Sequence, residues 1–194
     1  MPKLLVKQFI LVALIILAIL SIIFGSYLAL VKSQSFIVAL GSIPSIRTTE
    51  QFKTNFDKAF KFYSPIGDEE VAKFLVNNVL QFVSQQNQQE AVARMLVGYV
   101  EPYMFKNDVR HLLASAQMYQ ILWERYGHQE DFQTAENYFK SAYAIGPKLP
   151  PVLYGLLDFY GAKRDAQKVK EIGGIILGYW PDDTQVQNIV KSLK

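Results

Sequence analysis

The chain has 194 residues, with 20 basic and 17 acidic side chains, 51% apolar residues and no cysteine. That length allows one membrane span plus one domain of roughly 150 residues, enough to bury a core. Without cysteine, disulfides, thiol catalysis and cysteine-based metal sites are excluded, and the imidazoles are His111 and His128.

The net charge of +3 is unevenly spread: residues 1–49 hold Lys3, Lys7, Lys32 and Arg47 and no acid, while residues 50–194 hold 16 basic and 17 acidic residues, a net of −1. A near-neutral body lacks the basic stripe that nucleic acid demands, so no nucleic-acid partner is expected. Phe9 to Val31 contains no charge over 23 residues. As a helix rising 1.5 Å per residue, such a segment crosses a hydrocarbon core of about 30 Å. It exceeds the apolar run of roughly 7–15 residues usual in a cleaved signal peptide, and no clean A-x-A site follows, so an uncleaved anchor is expected. The sequence thus assigns residues 1–40 to an anchor helix with its extension and residues 41–47 to a linker. Lys3, Lys7 and the terminal amine precede the span and Lys32 follows it. By the positive-inside rule this predicts a single-pass protein of the cell membrane with its body on the exported face.

Beyond Ser45 the pattern is helical. Thr48 with Gln51 forms a capping-box signature and predicts a helix over Gln51–Tyr63. The sequence SPIG at Ser64–Gly67 breaks it, and Asp68, Glu69 and Glu70 open the next helix, where acids suit the positive end of the dipole. Val71, Phe74, Leu75, Val79 and Phe82 give that helix its expected apolar face. Ser84–Glu90 reads as a polar connector, Glu90–Tyr103 as a helix, and Lys106–Asp108 as the following start. Helices joined by short polar turns suggest an array of α-hairpins, and a repeat is therefore sought.

A shift of 34 residues superposes Pro147 on Pro181, Ala142 on Ile176, Phe139 on Gly173 and Ala135 on Val169. Leu153, Leu156, Leu157 and Tyr160 supply the first helix of the later unit. In the earlier unit Leu112, Ala116, Tyr119, Trp123 and Tyr126 form one stripe, read as core. Small residues let paired helices approach, aromatics fill the wedge to the next pair, and proline ends the second helix. This pattern resembles the tetratricopeptide repeat, with units at 107–149 and 150–183 and a capping helix at 184–194 within a repeat domain of residues 48–194. The expected fold class is accordingly all-α: an N-terminal transmembrane helix followed by a right-handed α-hairpin solenoid. In that repeat class the first helices line a concave face. The resemblance implies that Arg110, Leu113, Gln117 and Gln120 of the earlier unit, and Tyr154, Asp158 and Gly161 of the later one, point into it. Such a surface suits an extended peptide or a glycan, against the plainer reading of an ordinary wet surface.

The order of parts, a span followed by GSYLALVKSQSFIVAL and then by KAFKFYSPIGDEEV (Lys58–Val71), is similar to the carboxy-terminal region of bacterial O-antigen polymerase/ligase-type membrane proteins with a tetratricopeptide tail. The resemblance implies a link to cell-surface glycan assembly and places the catalytic residues of that family in a multi-span part with no counterpart here. The expectation is a membrane-tethered protein-interaction scaffold that takes a protein or peptide partner, from the glycan-assembly machinery. The alternative is a detached or truncated tail of such a glycosyl-transferring enzyme. No enzyme activity of the chain itself and no cofactor are expected.

Glu124, His128, Glu130 and Asp131 crowd one turn and have metal-ligand or acid–base chemistry. Against that stands a solvated turn in which Glu130 and Asp131 favour the next helix N-terminus, which is the preferred reading. His111, beside Arg110, is given a core or surface role. Asp182 or Asp183 is expected to cap a helix. Lys163, Arg164, Lys168 and Lys170, interleaved with Asp165 and Glu171, read as a charged solvated face rather than a headgroup patch.

Overall fold

In the computed structural model, which describes residues 2–193, the regular elements are all helical. They are α1 (Pro2–Ile22), a π turn (Ile23–Tyr27), α2 (Leu28–Ser42), a 3₁₀ turn (Ile43–Ser45), α3 (Thr49–Phe60), α4 (Asp68–Ser84), α5 (Glu90–Val100) with a 3₁₀ turn (Glu101–Tyr103), α6 (Val109–Tyr126), α7 (Gln129–Ile145), α8 (Pro150–Ala162), α9 (Ala166–Tyr179) and α10 (Thr184–Ser192). The Met1 amine and Lys194, used above in the charge count and the capping helix, lie outside the described residues. The chain divides into two compact units, Met1–Leu75 and Val76–Lys194. The apolar helix therefore shares a unit with α3 and the start of α4, whereas the sequence set it apart from a body beginning at Thr48.

In the first unit a continuous 41-residue helical stretch, Leu5–Ser45, carries the uncharged segment, and its apolar window is not buried by the chain. That is consistent with a single-pass anchor or a signal sequence. Helical turns persist to Ser45, so the non-helical part of the expected linker shrinks to Ile46 and Arg47. Thr48 caps α3 by accepting the Gln51 N–H at 3.2 Å. The reciprocal half of the box is displaced by one residue: the Gln51 side chain accepts from the Arg47 N–H at 2.8 Å rather than from Thr48. Helix α3 then packs against α2, with Phe36 edge-on to Phe56 at 5.9 Å and Phe52 4.6 Å from Phe56. Ile37 and Val38, on the opposite face of α2, are exposed. Helix α3 ends at Phe60, short of the expected Tyr63.

Helix α4 starts at Asp68 as its acids predict. Its buried stripe is Val71, Ala72, Leu75, Val76, Val79 and Val83, while Phe74 is 52% exposed and Phe82 half-buried. The expected face was thus rotated: small and β-branched side chains, which allow close helix approach, take the inside in place of the phenylalanines.

In the second unit successive helices pack as pairs, α6 on α7 and α8 on α9, with α10 closing against α9. Helix α7 ends at Ile145 before Pro147, and α9 ends at Tyr179 before Pro181. Ala135, Phe139 and Ala142 are buried, and so are Val169, Gly173 and Ile176, which the 34-residue shift in sequence aligns with them. Phe132, Phe139 and Phe159 form an aromatic core, with ring centroids 4.8 Å apart for Phe132–Phe159 and 5.1 Å for Phe139–Phe159. The expected stripe of α6 is graded. Leu112 and Ala116 are buried, but Tyr119, Trp123 and Tyr126 are half-buried. A second stripe that the sequence reading passed over, His111, Ser115, Met118 and Leu122, is also buried, so α6 is covered on two sides. One of its covers is α5, which packs against it.

The volume change from Phe139 to Gly173 has a local cause. A Cβ on Gly155 would lie 2.9 Å from a ring carbon of Phe139, so the large ring fills the space a glycine on α8 leaves open. At Gly173 a Cβ would lie 2.6 Å from a methyl of Val190, because α10 approaches there directly.

Candidate functional site

The residues assigned to a concave face lie on α6 and α8, which pack against each other. Arg110 opens α6. Its guanidinium pairs with Asp108 at 2.6 Å, and Asp108 also caps the helix by accepting the Arg110 N–H at 2.7 Å. These hydrogen bonds from Arg110 hold the Asp108 carboxyl down at about 2, against burial. Leu113 is half-buried against the core, Gln117 is exposed, and Gln120 is half-buried with its amide donating to Glu124 at 2.8 Å. On α8, Tyr154 is half-buried with its ring 6.2 Å from Trp180, and its hydroxyl donates to Asp183. Asp183 in turn caps α10 by accepting the Val186 N–H at 3.0 Å, and the Tyr154 hydroxyl is the main cause of its lowered carboxyl pKa. Asp158 is exposed, yet desolvation by surrounding protein raises its carboxyl pKa. Gly161 is exposed near the end of α8. Gln117 and Asp158 are therefore open side chains, and Tyr154 has one edge committed to the capping of α10.

The acidic turn around His128 resolves differently from either reading of the sequence. Asp131 is 4% exposed, so it is not a solvated helix-start acid. Its two carboxylate oxygens accept from the Arg94 guanidinium at 3.0 and 2.7 Å, a bidentate pair between α5 and α7. Arg94 Nε also donates to Glu90 at 2.7 Å, and His128 Nε2 lies 2.8 Å from the same oxygen. The Arg94 hydrogen bond lowers the Glu90 pKa, and the Asp131 hydrogen bond raises that of Arg94. Glu124 is taken by Gln120, His128 by Glu90 and Asp131 by Arg94, while Glu130 is exposed, so the four residues of the turn do not converge. The i,i+4 spacing of Glu90 and Arg94 is legible as a helical ion pair. The partner on α7 is not, because it comes from packing.

A second polar node was also missed. Glu101, in the 3₁₀ turn after α5, accepts from the Tyr119 hydroxyl at 2.6 Å and from the Tyr138 hydroxyl, with the two rings stacked at 6.0 Å. Burial, reinforced by the Glu101 carboxylate, pushes both phenols well above their ordinary range. His111 is a core residue: it is buried, accepts the Phe105 N–H at Nδ1 over 3.0 Å, and meets the Phe105 ring edge-on. At the α8–α9 turn the Lys163 ammonium sits 3.9 Å over the Phe132 ring, Lys168 pairs with Glu171 at 2.8 Å, and Asp165 caps α9. Arg164 and Lys170 are exposed.

These features define an all-α protein in which a long apolar N-terminal helix precedes packed helix pairs. The chain matches no protein-family model, and no curated protein or solved structure matches it.

Proposed function

We propose that the chain is a membrane-tethered interaction module whose helix pairs form a right-handed tetratricopeptide-like stack. The surface of α6 and α8 captures a protein or peptide partner that belongs to the cell-surface glycan-assembly machinery on the exported face. The observation that carries this reading is the contrast between helices: Gln117 and Asp158 are open on the first helix of each pair, while the matching apolar faces of α7 and α9 are buried. Repeat stacks work in this way, keeping stability in the interfaces between neighbours and leaving the groove free for recognition. Glu124, His128 and Asp131 are each bound by a different residue within the chain, which favours binding over catalysis there. The glycan assignment rests on the likeness of Lys58–Val71 to the polymerase/ligase-type tails.

A photo-crosslinking side chain placed at Gln117 in native membranes tests the proposal. The expected result is a discrete adduct with a glycan-assembly component that weakens on Asp158→Lys. The same probe at Lys140, on α7, should give none. Equal capture from both positions, or none from Gln117, overturns the assignment of the surface. A discrete adduct with an unrelated protein overturns the glycan link alone.

A further inference from the structure

We infer that the loop Phe62–Gly67 is a membrane-contacting element that rests Tyr63 and Ile66 in the lipid headgroup region where the apolar helix leaves the bilayer. The inference rests on reading α1–α2 as an anchor. It begins with Lys32, the first charge after the uncharged Phe9–Val31 segment. A lysine there would ordinarily extend its ammonium into water. Instead Lys32 is 1% exposed. Its ammonium donates to the Phe62 carbonyl at 2.8 Å and forms an ion pair with Asp68. The two partners bracket the loop, so one buried cation fixes both of its ends against the helix. Gly67, at φ 100°, makes the left-handed turn that brings the chain back, and a Cβ there would lie 3.8 Å from the Lys32 side chain.

The level of the loop follows from the hairpin. Ser42 meets Asn55 at 3.1 Å, Phe36 meets Phe56, and Lys32 meets Phe62, so α3 runs back along α2 toward the span. Ten residues of helix separate Ser42 from Lys32, roughly 15 Å. The hairpin tip is thus held that far from the membrane exit, while the loop is delivered to it. Leu28 and Ala29, one turn before Lys32 on the same face, are already half-buried, so protein flanks the helix at that depth.

Within the loop Ser64 is buried and donates to the Ile66 carbonyl at 2.6 Å. That bond turns the flanking side chains outward: Tyr63 is 70% and Ile66 53% exposed. A phenol and an aliphatic chain held beside the first charged residue after a span match the interface, where an amphipathic ring is favoured and apolar area is removed from water.

The chain has no cysteine, so single cysteines can carry an environment-sensitive fluorophore without further change. The full chain would be placed in phosphatidylcholine vesicles containing acyl chains labelled with a nitroxide quencher, with the fluorophore at Leu20→Cys, Tyr63→Cys, Ile66→Cys or Thr49→Cys. The inference expects strong quenching at Leu20, clear quenching at Tyr63 and Ile66, and little at Thr49 near the hairpin tip. Quenching at Leu20 with Tyr63 and Ile66 as unquenched as Thr49 overturns the loop's role and leaves the anchor standing. Lack of quenching at Leu20 overturns the anchor and the inference with it. Lys32→Met should abolish quenching at the loop and preserve it at Leu20. Quenching that survives at Tyr63 and Ile66 in that variant overturns the role given to the Lys32 clasp.

Discussion

Asp108 and Asp131 stand at or just inside helix starts, and their surroundings give them different work. Asp131 is buried with the Arg94 fork, and removing one partner of a buried pair generally costs about 3–5 kcal/mol. The Arg94 side chain is 35% exposed, so water recovers part of that. We expect Asp131→Ala to lose about 2–3 kcal/mol in urea unfolding. The double change Asp131→Leu with Arg94→Met should recover most of the loss, since an apolar pair carries no desolvation penalty. Asp108 is partly open, and its carboxyl sits at about 2 because Arg110 binds the charged form, below the ordinary value of 3.8. A carboxyl with a depressed folded pKa contributes stability above its unfolded pKa and loses it as pH falls through the folded one. Asp108→Asn keeps a capping side chain but cannot titrate. Melting temperatures of the parent and this variant should differ most above about pH 4 and converge as pH approaches about 2. The Asp108 cap was legible in sequence, because capping is local. The burial of Asp131 was not, because its partner lies 37 residues away on α5.

At the scale of elements, the second unit depends on size matching between helices. Phe139 is 1% exposed and fills the space that Gly155 leaves, so Phe139→Ala should cost roughly 3–5 kcal/mol, the usual effect of emptying a core aromatic site. The opposite error is expected at the position that superposes on it. Gly173→Ala improves helix propensity on α9, yet its methyl would meet Val190 at 2.6 Å, inside contact distance. Overpacking of this kind costs about 1–3 kcal/mol, so the variant should melt lower, and Gly173→Ala with Val190→Ala should regain part of the loss. A melt higher than the parent would mean that α10 shifts freely. The alignment that put Phe139 on Gly173 was visible in the sequence, as were the proline stops. The reason for the volume change was not, because it needs the position of α10. The α4 face was misjudged for a related reason: spacing finds a face, but helix proximity decides that valine and alanine go inside and Phe74 stays out.

Across the whole molecule, the sequence revealed helical content, the apolar helix and most helix boundaries, since these follow from composition, caps and breakers within a few residues. It did not reveal that the apolar helix belongs to one unit with α3, because that depends on Lys32 turning inward. Counted in the sequence as a flanking charge, Lys32 is instead an internal pin, buried and paired with Asp68. The sequence placed Arg110, Gln117 and Gln120 on one helix and Tyr154 and Asp158 on another, as α6 and α8 do, but not the duty of Tyr154 at Asp183. That leaves Asp158 as the cleanest probe of what the second unit is for. Its side chain is open, no hydrogen bond or ion pair is needed to explain its position, and desolvation raises its pKa. An acid whose folded pKa is raised costs stability in its charged form. Stability therefore falls as pH rises from the unfolded pKa through the folded one. Asp158→Asn should then raise the melting temperature at neutral pH and leave it unchanged in acid, where both proteins are neutral at this site. If Asp158 belongs to the proposed partner surface, a trade-off between stability and function predicts that removing its charge weakens capture. The same variant should accordingly give less adduct from the crosslinker at Gln117, although the domain is more stable. A stabilised protein that still captures its partner fully would remove Asp158 from the surface and move recognition elsewhere on α6.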